Sequence, residues 1–149
     1  MKKPTLLVSA CLLGVCCRYD GESKPCDAVI ALRDRFTLLP ICPEVDGGLP
    51  TPRTPSERVG DKVLMRDGRD VTANYRSGAE IALSRAESFS VSAAILKARS
   101  PSCGKDRIYD GSFSGTLTNG HGVAAELLIK HGIKVYTEEE IDKLLADFA

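Results

Sequence analysis

A cysteine recurs in three short segments of this chain, with a serine in two of them and a glutamate in the other: Ser9-Ala10-Cys11-Leu12-Leu13-Gly14, Cys42-Pro43-Glu44 and Ser100-Pro101-Ser102-Cys103-Gly104. Thiolates are soft donors that suit zinc or iron–sulfur clusters, and a set of three leaves one metal position open for a substrate. Taken singly, a buried cysteine is most often a small hydrophobe. Three of them, each just past an apolar run, weaken that reading. Cys11, Cys42 and Cys103 are far apart in sequence and no Cys-x-x-Cys pair marks a zinc ribbon or a thioredoxin-like site, so only the fold can bring them together.

Glu44 follows a Cys-Pro step whose restricted backbone would fix the carboxylate relative to the thiols. A carboxylate there can act as a general base toward water; alone, it would more simply cap a backbone amide. Ser100 and Ser102 flank Pro101 and offer hydroxyls to a substrate atom, a sulfur or a helix amide, and a plain helix cap fits either equally well. Cys16, Cys17 and Cys26 fit incidental packing better than a fourth ligand, and adjacent Cys16 and Cys17 must point apart. His121 and His131 are the only histidines and no Ser-His-Asp pattern forms around them, which argues against serine hydrolase chemistry. Gly111-Ser112-Phe113-Ser114-Gly115 lacks the phosphate-loop lysine and the dinucleotide spacing, and reads as a flexible wall of the pocket.

The elements that must position these groups alternate. Strands are expected at Thr5–Ser9, Thr37–Ile41, Ser92–Lys97 and Ile133–Tyr136, and helices at 26–35, from Thr72 or Asp70 to Phe89, at 122–131 and after Thr137, where Thr137 and Glu140 have capping-box spacing. Ala93-Ala94-Ile95-Leu96 is apolar on both faces, as in the covered centre of a parallel sheet. The alternating prolines Pro50, Pro52 and Pro55 predict an extended loop across the active edge. Lys62–Arg66 and Arg69–Thr72 bracket Asp67-Gly68 as a hairpin excursion, and Tyr109–His121 reads as loop. The expected fold is therefore α/β, a small three-layer domain with a mainly parallel, Rossmann-like sheet and a β-hairpin insertion. In such a sheet, residues past the strand ends gather along one edge, where ligands bind.

Composition sets the remaining bounds. The chain is 43% hydrophobic and carries 20 basic against 20 acidic residues, so no net positive field drives binding to a phosphate backbone. Arg53, Arg58, Lys97, Arg99, Lys105 and Arg107 cluster in sequence near two of the cysteine segments, and fit a solvated rim or anion recognition about evenly. No apolar stretch is long enough to span a bilayer, and the basic start Met1-Lys2-Lys3-Pro4 leads into a first strand, not a signal peptide. Six cysteines without such a signal point to the reducing cytoplasm.

Together, Ser9–Gly14, Arg18-Tyr19-Asp20-Gly21, Cys42-Pro43-Glu44, Arg99–Gly104 and Gly111–Gly115 resemble the thiouracil desulfurase (desulfidase) family, long catalogued as a domain of unknown function. The resemblance spans nearly the whole chain and implies a single domain of that kind over residues 1–149. It implies a [4Fe-4S] cluster held by Cys11, Cys42 and Cys103 with one iron free, and catalytic roles for Glu44 and Ser100. The implied reaction is non-redox: the open iron takes the thiocarbonyl sulfur of a thiolated pyrimidine, Glu44 activates water, Ser100 assists proton movement, and sulfide leaves. Free 4-thiouracil, its nucleotide and thiolated tRNA present the same thiocarbonyl, and chain length and neutral charge favour the small molecules over tRNA. Two other classes compete: a structural metal-binding module with a closed site, and a thiol redox sensor pairing Cys16 or Cys17 with Cys11.

Overall fold

The computed structural model describes residues 3–149, so Met1 and Lys2 of the basic start lie outside it. Its centre is a four-stranded parallel sheet of β1 (Thr5–Ser9), β2 (Thr37–Ile41), β5 (Ala93–Leu96) and β8 (Val135–Thr137), in the order β2-β1-β5-β8. Side chains alternate across a strand, and the two cores divide accordingly. Leu6, Val8 and Ile95 pack on one side with Val29 and Leu32, which follow from α1 (Asp27–Ile30) and its 3-10 continuation, and with Ile141 and Leu144 of α5 (Ile141–Asp147). Leu7, Ala94 and Leu96 face Ala82 and Ala86 of α3 (Thr72–Ser88) and Ala125 and Leu128 of α4 (Val123–Lys130) on the other side. The three-layer α/β expectation is borne out, and the apolar centre of β5 is fully buried on both faces.

Several local signals act as the sequence requires. Asp70 accepts the Thr72 amide N–H at 2.9 Å where α3 begins. Thr137 accepts from the Glu139 amide at 3.2 Å while Glu140 accepts from the Thr137 amide at 3.0 Å, which completes the capping box before α5.

The hairpin insertion differs in its arms. The Asp67-Gly68 turn forms, with Gly68 at φ +92° and Arg69 returning a carbonyl to the Met65 amide at 2.8 Å, but its second arm makes only one bridge, Leu64 to Asp70. The main partner of β4 (Lys62–Met65) is β3 (Ser56–Val59), which pairs with it across Gly60-Asp61. β3 escapes a pattern search because Glu57 sits at a buried position: its carboxylate accepts the Gly111 and Phe113 amides at 2.8 and 3.2 Å. The segment read as loop from Tyr109 to His121 also contains structure, since β6 (Arg107–Tyr109) and β7 (Leu117–Asn119) form a second hairpin. Its strands are three residues each and mostly polar, too short to show a period.

Candidate active site

The three cysteine segments leave three neighbouring strands, β2, β1 and β5, at their carboxyl ends. The chain moves from β1 to β2 on one side while β5 lies on the other, so the strand order reverses between β1 and β5, where an open sheet forms its ligand crevice. A cavity of about 660 Å³ opens there, and Cys11, Cys42, Cys103, Glu44 and Ser100 all line it.

Each segment has its own local reason to turn. After β1 the chain makes a 3-10 turn, Ala10–Leu13, closed by Gly14 at φ +96°, which leaves Cys11 8% exposed. After β2, Cys42 stays extended and Pro43 starts the single-turn helix α2 (Pro43–Asp46), where its missing N–H costs nothing. α2 is pressed against α3 at Gly78, where a Cβ would come within 1.8 Å of the Pro43 carbonyl oxygen. Asn74 adds a hydrogen bond from Nδ2 to the Gly47 carbonyl at 2.9 Å. After β5, Arg99 takes a left-handed φ of +67°, and Ser100 Oγ accepts the Ser102 and Cys103 amides, both at 3.1 Å. The Ser102 carbonyl then caps α4 by accepting the Ala124 and Ala125 amides at 2.8 and 3.1 Å. Lys97 N donates to Ser9 Oγ at 2.9 Å and ties the ends of β1 and β5 together.

Glu44 is held on both oxygens. Arg53 Nε donates to Oε1 at 3.1 Å and Ser102 Oγ donates to Oε2 at 2.9 Å. Ser102 Oγ in turn lies 3.0 Å from Ser100 Oγ and 3.6 Å from Cys103 Sγ. The Arg53 guanidinium, 3% exposed, also donates to the Pro50 carbonyl and Thr51 Oγ1 through Nη1 and to the Cys17 carbonyl through Nη2. The Pro-rich loop thus crosses the edge as expected, with Arg53 and Pro55 lining the cavity. Burial raises the Tyr75 phenol beside Glu44 well above its ordinary range, so it stays protonated.

Of the three cysteines set aside, one belongs to the site. Cys16 is exposed and Cys26 half-buried at the core edge, whereas Cys17 is 8% exposed, lines the cavity, and places its thiol against those of Cys11 and Cys42. The opposed directions of two adjacent side chains put one thiol in and the other out. The hydrogen bond with Cys11, reinforced by burial, pushes the Cys17 thiol up to about 11, contact with Cys17 and burial raise Cys42, and burial pushes Cys103 up to about 12. These environments favour the protonated form of Cys17, Cys42 and Cys103, and a metal must displace a proton to bind such a thiol.

The basic cluster is largely neutralised. Arg53 pairs with Glu44, Arg58 with Glu126, Lys97 with Glu138, Arg99 with Glu139 and Lys105 with Glu140. The edge strand β8 brings the last three carboxylates beside the mouth, a pairing that sequence distance hides. Among the described residues, the cavity cations without a carboxylate within bridging distance are Lys24 and Arg66, the latter 5.5 Å from the Phe113 ring. Arg18 is only loosely paired, 3.8 Å from Asp20. Phe113 and Gly115 wall the cavity as expected of their loop. Ser102, Arg53 and Cys17 are the site residues whose place the sequence did not disclose. The Ser-Pro-Ser spacing was the one usable signal.

An uncharacterized protein of Bacillus subtilis (strain 168), YbbK, is 40% identical over 150 residues, covering 94% of this chain and 99% of that protein. A solved structure described as the [4Fe-4S]-dependent thiouracil desulfidase TudS is 45% identical, with a TM-score of 0.90 over 98% of both chains. Residues 6–140, nearly the whole length, match the 2-thiouracil desulfurase family, and the chain belongs to that family.

Proposed function

We propose that this protein is a non-redox desulfurase that replaces the thiocarbonyl sulfur of a thiolated pyrimidine by oxygen and releases sulfide. The observation that carries this reading is the convergence of Cys11, Cys42 and Cys103 with the doubly held Glu44 around one cavity. The similar TudS is [4Fe-4S]-dependent, and the donors present here suit such a cluster. A cluster takes one thiolate per iron and accepts thiols spread around a wall. Cys11, Cys42 and Cys103 would hold it, and a reducing cytoplasm would keep them available.

When bound, such a cluster with three protein ligands supplies an open iron that takes the soft sulfur and polarises the carbon–sulfur bond. Glu44 is the final acceptor for the proton lost by the attacking water, and Arg53 orients it through Oε1. Ser100, on the cavity wall beside Cys103, moves protons at the reacting atoms. Lys24 and Arg66 are cations left to meet a phosphate, which extends the substrate class from the free base to its nucleotide. A second reading, a thiol sensor, draws on the contact of Cys17 with Cys11 and Cys42.

The test is anaerobic reconstitution with iron and sulfide, then sulfide release from 2-thiouracil, 4-thiouracil and 4-thio-UMP. The expected result is cluster absorption with turnover, and a loss of about 100-fold or more in Glu44→Gln, the range of a general base. A loaded cluster with no turnover on any thiopyrimidine overturns the proposed reaction.

A further inference from the structure

The hydroxyl of Ser102 stands between the two groups to which the proposed mechanism gives proton chemistry. It lies 2.9 Å from Glu44 Oε2 and 3.0 Å from Ser100 Oγ, and Ser102 is 1% exposed, so bulk water does not compete for either contact.

The direction of this chain follows from counting protons. An ionised carboxylate only accepts. The single Ser102 proton is therefore committed to Glu44, and Ser102 Oγ is left to accept from Ser100. Ser100 Oγ already accepts two backbone amides, at 3.1 Å each, which leaves its own proton for Ser102, and a proton arriving from the cavity takes the lone pair now held by one of these amides. The other carboxylate oxygen, Oε1, is occupied by Arg53. The hydrogen-bonded route from the cavity to the Glu44 carboxylate thus runs through Ser102.

We infer that Ser102 is the proton conductor that joins Ser100 to Glu44. It is a positioning residue acting through its neighbours, and the inference rests on the desulfuration proposed above. As the water oxygen bonds to the ring carbon, one water proton passes to Ser100 Oγ, the Ser100 proton to Ser102 and the Ser102 proton to Glu44. When the carbon–sulfur bond breaks, the same transfers run backwards and deliver that proton to the departing sulfur. The second water proton leaves the new ring oxygen for solvent, so thiocarbonyl plus water gives carbonyl, hydrosulfide and one proton. No oxidant or reductant is needed, and both serines and Glu44 return to their starting states.

Two measurements test it. On the metal-free protein with carbon-13 glutamate, infrared spectroscopy locates the Glu44 carboxylate band as the one lost in Glu44→Gln. Ser102→Ala is expected to shift that band, and Ser100→Ala to shift it only while Ser102 is present. A band unmoved by Ser102→Ala, or a Ser100→Ala shift that survives in the double variant, overturns the relay. On the reconstituted enzyme, Ser102→Ala is expected to keep wild-type cluster absorption and KM while kcat falls about 100-fold. Its rate in mixed light and heavy water is expected to turn from a bowed to a linear dependence on deuterium fraction. A kcat within about threefold of wild type at full cluster loading overturns the relay while leaving desulfuration intact. If wild-type holoenzyme desulfurates nothing, the desulfuration reading fails and the infrared coupling still decides whether the three groups form one chain.

Discussion

Every nitrogen of the Arg53 guanidinium has a partner inside the protein, and those partners belong to three segments: Glu44 on α2, the Cys17 carbonyl, and the loop of Pro50 and Thr51. The planar fork can bridge them because its donors point in fixed directions, which an ammonium cannot imitate. Removing one member of a buried ion pair leaves the other unpaired at about 3 kcal/mol or more. Arg53→Ala is therefore expected to lose stability on that scale in denaturant unfolding, and Arg53→Lys to lose turnover despite keeping the charge. Cys17 gives a sharper comparison. With Cys11, Cys42 and Cys103 as the ligand set, Cys17→Ser is expected to take up as much iron as wild type and keep its turnover, whereas serine at any of the other three abolishes cluster absorption. Loss of turnover in Cys17→Ser with a full cluster would favour the sensor reading instead.

Gly78 shows how an element can be read correctly and its purpose missed. The helical spacing of Tyr75, Ala79, Ala82 and Ala86 announces α3, and a glycine among them looks like a defect, since alanine there usually gains about 1 kcal/mol. The Pro43 carbonyl 1.8 Å from a Cβ at Gly78 reverses that sign. Gly78→Ala must push α2 away, at roughly 1–3 kcal/mol, and carry Cys42 and Glu44 with it. A lower melting temperature and a reduced iron-to-protein ratio in the same variant are the expected outcome. The sequence disclosed β1, β2 and β5 because their side chains are apolar on both faces, and with them the edge where Cys11, Cys42 and Cys103 meet. It did not disclose β3, because Glu57 is buried only by virtue of amides from a loop far along the chain. Ser102 was visible as a hydroxyl but not as a bridge, since Glu44, its partner, belongs to another strand's exit.

At the scale of the whole molecule, equal numbers of acidic and basic residues do not mean an even distribution. Glu138, Glu139 and Glu140 neutralise Lys97, Arg99 and Lys105 beside the mouth, and among the described residues the cavity cations without close carboxylates are Lys24 and Arg66. If these meet a phosphate, Lys24→Ala with Arg66→Ala is expected to raise KM for 4-thio-UMP about tenfold, roughly 1.4 kcal/mol, and leave KM for 4-thiouracil unchanged. Added salt should produce the same selective effect, because exposed charges are screened. Equal changes for base and nucleotide would remove the phosphate from the reading. The three cysteine segments hang from three adjacent parallel strands, and none of them holds more than one of the three thiols proposed as ligands. The site is consequently not portable: no peptide cut from this chain carries it, and a graft onto another scaffold would have to bring the sheet along.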